Sequence, residues 1–236
     1  MAKGKIEAVF LDIDDTVLDT SGMVDSTRRA ASYEIYNKKI FKDKTADQIY
    51  NDYLKLVVKY GPNYENHFSA LCEEYGIKLD PRVIALGRIG YHTAKISALK
   101  ELPGTRETLV YLTSKNIKLA VISYGREDRQ WEKIFRLGID CFFDHDNVYI
   151  SDIDNKGPNK GSLIKKALKN MNVNPKKTLM VGNKLDTDIY YGNKEDLITV
   201  LMLHGKYQDE RPKNDLQKPD FTMSEISELI EITENL

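Results

Sequence analysis

The segment Phe10–Val17, FLDIDDTV, sets two carboxylates two residues apart at the end of an apolar run. Ile6–Leu11 reads as a buried strand, and alternation along a strand directs Asp12 and Asp14 to the same side, where they can share a divalent cation that offsets their repulsion. Asp12 can then act as a nucleophile, while Asp14 can give a proton to a leaving oxygen and later take one from an attacking water. Acidic residues after a strand also serve as turn formers and helix caps. The chemistry therefore needs partners from elsewhere in the chain.

The elements that must position these residues follow from periodicity. Short β-rich runs recur at Lys118–Ile122, Thr178–Val181 and Leu197–Leu203, each closing on polar residues: Ser123, then Gly182-Asn183, then His204. Helical patterns lie between them at Thr105–Lys115, Arg129–Leu137, Ser162–Met171 and Asp186–Gly192. Strands alternating with helices predict an α/β fold with a parallel sheet, helices on both faces and polar loops gathered at the carboxyl ends of the strands. Asn174-Pro175 reads as a tight turn, Pro219–Phe221 as a last edge strand and Met223–Ile232 as a closing helix.

Residues 20–100 differ in character. They are rich in Tyr and Lys, carry breaks at Gly61-Pro62, Gly76 and Asp80-Pro81, and contain no buried-strand run. About four helices inserted after the first strand account for this pattern.

Lys and Arg total 35 against 36 Asp and Glu, so a net charge of −1 supplies no field for gathering nucleic acid or an anionic membrane. A small molecule is the expected partner; oligomeric state is not indicated. No apolar stretch approaches the roughly 20 residues of a membrane span and no signal peptide is evident, so the expected location is cytoplasmic. Cys72 and Cys141 lack zinc-type spacing and read as free thiols, and the four histidines show no metal-binding pattern.

Taken together, these motifs resemble those of the haloacid dehalogenase-like (HAD) hydrolase superfamily. Its Asp-x-Asp-x-Thr motif is matched by Asp12, Asp14 and Thr16; Asp15 stands where Gly is common. Its second motif, a strand ending in Ser or Thr, is matched by Ala120–Ser123, preceded by LPGTRETL at Leu102–Leu109. Gly125–Phe143 resembles the helix and strand that follow, with Gln130-Trp131 characteristic of one phosphatase-like branch. The resemblance covers the sequence on both sides of the helical insert.

The resemblance implies a Rossmann-like core (residues 1–19 and 101–236) and a mobile helical cap (residues 20–100), with hinges at Thr20–Met23 and Ala98–Leu102. It implies Ser123 as a phosphoryl hydrogen-bond donor, with Thr16, Tyr124 and Gly125 completing the substrate-binding set. It also implies a lysine that neutralises nucleophile and phosphate, for which Lys160, just ahead of a helical run, is preferred over Lys156 in KGPNKGSL. The fourth motif supplies the remaining metal ligands. Here it reads VGNKLDTDI, with Asn183 where an acid is expected, Asp188 as the second acid and Asp186 as a substitute or outer-shell candidate. Asn can ligate Mg²⁺ through its amide oxygen, at the loss of one negative charge. The implied metal set is Asp12, Asp14, Asn183 and Asp188.

The expected activity is Mg²⁺-dependent hydrolysis of a small phosphate monoester through an aspartyl-phosphate on Asp12. Phosphorylated sugars, glyceraldehyde 3-phosphate, phosphoglycolate and nucleotides are candidate substrates. Tyr60, Asn63, Tyr64, His67, Arg88 and Tyr91 are candidate contacts in the cap. The alternatives are a phosphomutase or a haloacid dehalogenase on the same scaffold, Asp14 counting against the dehalogenase, or a catalytically weakened module that binds a phosphorylated ligand.

Overall fold

The four-residue run Ala8–Leu11 (β1) is buried along its whole length, as a strand covered on both faces requires. The structure, a computed structural model, describes residues 5–61, 64–152 and 157–236; Asn63 and Lys156 lie outside the described residues. By Cα proximity the chain divides into two compact units, residues 1–21 with 99–236 and residues 22–98.

In the first unit β1 pairs in parallel with β2 (Lys118–Tyr124) on one side and β4 (Thr178–Gly182) on the other. With β3 (Val148–Ser151), β5 (Ile198–Met202) and β6 (Phe221–Met223) the sheet order is β3-β2-β1-β4-β5-β6. The order reverses beside β1, which opens a crevice at the carboxyl edge of the central strands. Leu11 is level with Val121 and Val181, so Asp12, Ser123 and Asn183 all emerge at that edge.

The two faces of β1 build two cores. Val9 and Leu11 join Val121, Val181, Leu109 and Ile134, whereas Ala8 and Phe10 join Ile122, Met180, Ile164 and Ala167. The residues from α5 (Thr105–Ser114) and α6 (Glu127–Leu137) thus cover one face, and those from α7 (Lys160–Met171) the other.

The second unit holds α1 (from Thr20–Asn37, whose first turn belongs to the other unit), α2 (Ala46–Tyr60), α3 (His67–Glu74) and α4 (Pro81–Ala98). Ile35, Ile49, Leu56, Leu71, Cys72 and Val83 form its core. A Cβ on Gly90 would lie 2.7 Å from Ala30 O, so α1 and α4 cross at a distance that only glycine allows. The chain leaves and re-enters the sheet unit side by side: Leu18 bridges Glu101 antiparallel, and the Leu102 N–H donates to Val17 O at 2.9 Å.

Several elements depart from expectation. The strand anticipated near Phe143 is absent there. Gly138, in the left-handed region at φ 61°, ends α6, Asp140–Phe142 is a 3₁₀ turn, and the chain pairs only at β3. Fully buried Met223 belongs to β6 opposite Met202, so the closing helix α9 (Glu228–Asn235) starts later than its apolar pattern suggests. The run after Asn183 opens as a π-helical turn, Leu185–Ile189, before α8 (Tyr190–Lys194).

Candidate active site

Asp12 is the first residue past β1 and is 2% exposed. Its N–H donates to Val181 O at 2.9 Å, which ties the backbone to β4. Lys160, the first residue of α7 after the Asn159 cap, reaches the same place with 1% exposure. Its Nζ lies 3.0 Å from Asp12 Oδ1 and also pairs with Asp188 Oδ1. Burial pulls the Lys160 ammonium down, but Asp12 and Asp188 more than offset it and hold its pKa above the usual lysine range. Burial raises the Asp188 carboxyl, and Asp12 adds to that rise while Lys160 opposes it. With all three groups ionised this sealed cluster carries a net charge of −1.

Asp188 sits in the π turn, 0% exposed, and its Oδ2 accepts the Lys184 N–H at 3.0 Å. A Cβ on Gly182 would fall 2.3 Å from the Asp188 carboxyl carbon, so the strand end must be glycine for that carboxylate to fit. Asp186 points to solvent, which separates it from the buried cluster. Asn183 is 1% exposed and its Oδ1 has no protein partner. An orphaned buried acceptor at the edge where Asp12 emerges, beside a cluster of net charge −1, fits a hard dication held by oxygen ligands.

Asp14 is held differently. Its Oδ1 accepts Thr20 Oγ1 and Lys133 Nζ, each at 2.5 Å, and its Oδ2 accepts Gln130 Nε2 at 2.9 Å. Burial pushes this carboxyl up, but the Lys133 charge and the three hydrogen bonds outweigh it and hold it below the ordinary aspartate value. The carboxylate of Asp14 is thus committed to other donors than the one shared by Asp12 and Asp188. Its backbone carbonyl is the group it can offer a cation.

The anticipated substrate-binding residues divide. Ser123 is fully buried, and its Oγ accepts Gln130 Nε2 at 3.0 Å. Thr16 Oγ1 is buried without a partner. Two more have groups engaged with the protein. The Tyr124 hydroxyl accepts the Lys160 N–H at 2.7 Å and its ring lies 5.4 Å from the ammonium, so this side chain braces the lysine. The Gly125 N–H donates to Ser151 O at 3.0 Å. Glycine is required there by φ 143° and by Gln130 Nε2, which would lie 3.0 Å from an added Cβ.

In the helical unit Tyr60 stacks on Tyr64 at 4.7 Å, Arg88 is exposed and Tyr91 is half-buried. His67 is buried between Tyr53 and Tyr64, with Nε2 unpartnered. Asp15, Asp19 and His204 lie close enough to share an ion among the described residues, contrary to the expectation that no histidine lies in such a group. Asp15 is already engaged by Ser21 N and Oγ at 2.7 and 2.6 Å, however, and His204 pairs with Asp19 at 3.2 Å. The Ser21 contacts compensate the left-handed φ of 55° at Asp15, where Gly is common in the resembling family.

Sequence reasoning missed Lys133, Thr20 and the contacts of Gln130. The signal available was the i, i+3 spacing of Gln130 and Lys133, which sets them on one face of a helix.

A family model described as haloacid dehalogenase-like hydrolase matches residues 6–193, and a second, HAD-hydrolase-like, matches residues 158–229. The glyceraldehyde 3-phosphate phosphatase of Pyrococcus furiosus is 35% identical over 98% of this chain and 94% of its own. That of Methanopyrus kandleri is 33% identical over 98% of each. YfnB of Bacillus subtilis, in a structure bound to magnesium, superposes with a TM-score of 0.66 at 18% identity, covering 98% of this chain and 99% of its own.

Proposed function

The chain belongs to the haloacid dehalogenase-like hydrolase family and is a phosphatase, and on that premise we propose that it hydrolyses glyceraldehyde 3-phosphate through an aspartyl-phosphate on Asp12. The observation that carries the mechanism is the buried Lys160 ammonium between Asp12 and Asp188. A fixed cation there offsets the repulsion between a carboxylate nucleophile and an anionic phosphoryl group.

In the first half-reaction an Asp12 oxygen bonds to phosphorus as the bond to the substrate oxygen breaks, and Asp14, ionised in the resting site and so needing to take up a proton before it acts as an acid, gives that oxygen the proton. In the second, Asp14 takes a proton from water as the water oxygen attacks phosphorus. Phosphate departs and the Asp12 carboxylate is restored. The Ser123 hydroxyl holds a phosphoryl oxygen in line with Asp12.

Asp12, the Asp14 carbonyl, Asn183 and Asp188 would hold Mg²⁺, which when bound neutralises charge on the phosphoryl group. The helical unit, residues 22–98, takes the part of a cap that excludes water and selects the substrate. Near-full-length similarity to two glyceraldehyde 3-phosphate phosphatases supports that substrate over the other small esters.

The test is phosphate release from a panel of sugar phosphates, glyceraldehyde 3-phosphate, phosphoglycolate and nucleotides, with and without Mg²⁺. The highest kcat/KM is expected for glyceraldehyde 3-phosphate, with loss of activity in chelator. Another ester preferred by about tenfold would overturn the substrate assignment. Undiminished turnover in chelator would overturn the metal requirement.

A further inference from the structure

Helix α6 meets Asp14 with two side chains one turn apart. Gln130 is 1% exposed, and its Nε2 lies 2.9 Å from Asp14 Oδ2, 3.0 Å from Ser123 Oγ and 2.7 Å from Tyr124 O. All three neighbours accept hydrogen bonds, so only the amide nitrogen can face them, and the buried Oε1 is left without a partner. Gln130 thereby tolerates an orphaned oxygen in order to serve the two motif strands at once.

Lys133 closes the other side, its Nζ at 2.5 Å from Asp14 Oδ1. The other cations of α6 are spent locally or face solvent: Arg136 pairs with Glu132, and Arg129 is exposed. Lys133 is instead turned inward, with its side chain 15% exposed and that of Asp14 24%. An aspartate carboxyl rotates broadly about its last torsion. Donors on both oxygens remove that freedom and set the plane of the group.

We propose that Lys133, supported by Gln130, is a positioning residue that fixes the Asp14 carboxylate for proton transfer to and from the reacting oxygens. The proposal rests on the reading of Asp14 as acid and base. With side chains only 15% and 24% exposed the pair is largely shielded from water, so losing Lys133 also costs stability, and its role is read from the contrast between two esters rather than from the melting temperature.

The experiment compares the parent with Lys133→Met, Lys133→Arg and Asp14→Asn on two esters, glyceraldehyde 3-phosphate and p-nitrophenyl phosphate. The parameter kcat/KM reports the steps up to loss of the leaving group, and nitrophenolate departs without needing a proton. Lys133→Met should lose about tenfold or more in kcat/KM on the alkyl ester and about threefold or less on the aryl ester. Lys133→Arg, which keeps charge and donors, should recover most of the loss, and the contrast between the esters should persist at temperatures where Lys133→Met is fully folded. Equal losses on both esters would show a structural role and overturn the proposal. So would an unchanged ratio in Lys133→Met when Asp14→Asn does discriminate between the esters. If Asp14→Asn loses nothing on the alkyl ester, the reading of Asp14 itself fails and this proposal falls with it.

Discussion

Lys160 Nζ lies 3.0 Å from Asp12 Oδ1 with side-chain exposures of 1% and 3%, so a charged pair at the heart of the site is closed off from bulk water. Its attraction is weakly screened, and the carboxylate meets an anionic substrate already compensated. Asp12→Asn keeps the shape but replaces the oxygen proposed to attack phosphorus by an amide. Turnover should fall by about a thousandfold or more with circular dichroism unchanged. Activity within about tenfold of the parent would refute the nucleophile assignment.

Removing the cation should expose the cost of two buried acids. Lys160→Met leaves Asp12 and Asp188 facing each other and should cost about 3–5 kcal/mol of stability near neutral pH. Burial and Asp12 already raise the Asp188 carboxyl above its unfolded value, and without Lys160 nothing comparable opposes them. The folded state then binds more protons than the unfolded state between the unfolded aspartate value and the raised folded one. Stability in that window falls as pH rises, so the variant should regain melting temperature relative to the parent on acidification toward pH ~4. A deficit independent of pH would contradict this.

A magnesium titration tests Asn183. Asn183→Asp takes the buried cluster from a net charge of −1 to −2, which should destabilise the metal-free protein and strengthen Mg²⁺ binding. The melting temperature without metal should drop, the Mg²⁺-induced rise should grow, and half-maximal activity should need less metal. Asp188→Ala should raise the metal requirement sharply, whereas exposed Asp186 should tolerate alanine with little change. Equal midpoints for Asn183→Asp, Asp188→Ala and the parent would show that these residues do not hold the metal.

Gly182→Ala probes packing in place of charge. The added methyl would lie 2.3 Å from the Asp188 carboxyl carbon, so that side chain or the strand end must move. A loss of about 1–3 kcal/mol is expected, accompanied by a weaker Mg²⁺-induced rise in melting temperature. Destabilisation with an unaltered metal response would mean that the carboxylate accommodates the methyl without leaving its place.

The central strands were legible because burial on both faces demands continuous apolar runs such as AVFL and TLMVG. The edge strand Val148–Ser151 was not, since a half-buried four-residue segment leaves too little pattern. In the site, spacing after a strand pointed to Asp12 and Asp14, and position before a helix pointed to Lys160. The same logic could not foresee that Gly125 spends its N–H on Ser151, or that Tyr124 braces Lys160, because both contacts join segments distant in sequence. Lys133 was hidden for the opposite reason: a lysine on an amphipathic helix usually faces water, and nothing local marks one that turns inward.

The antiparallel bridge between Leu18 and Glu101, with Leu102 bonded to Val17, also bears on modularity. Entry and exit of the helical insert are hydrogen-bonded neighbours, so the sheet unit closes on itself across the seam. Because the entropy of closing a loop grows only with the logarithm of its length, an insert of this size burdens the sheet hardly more than a short one. Inserts of quite different size can therefore be exchanged at this seam without redesigning the sheet.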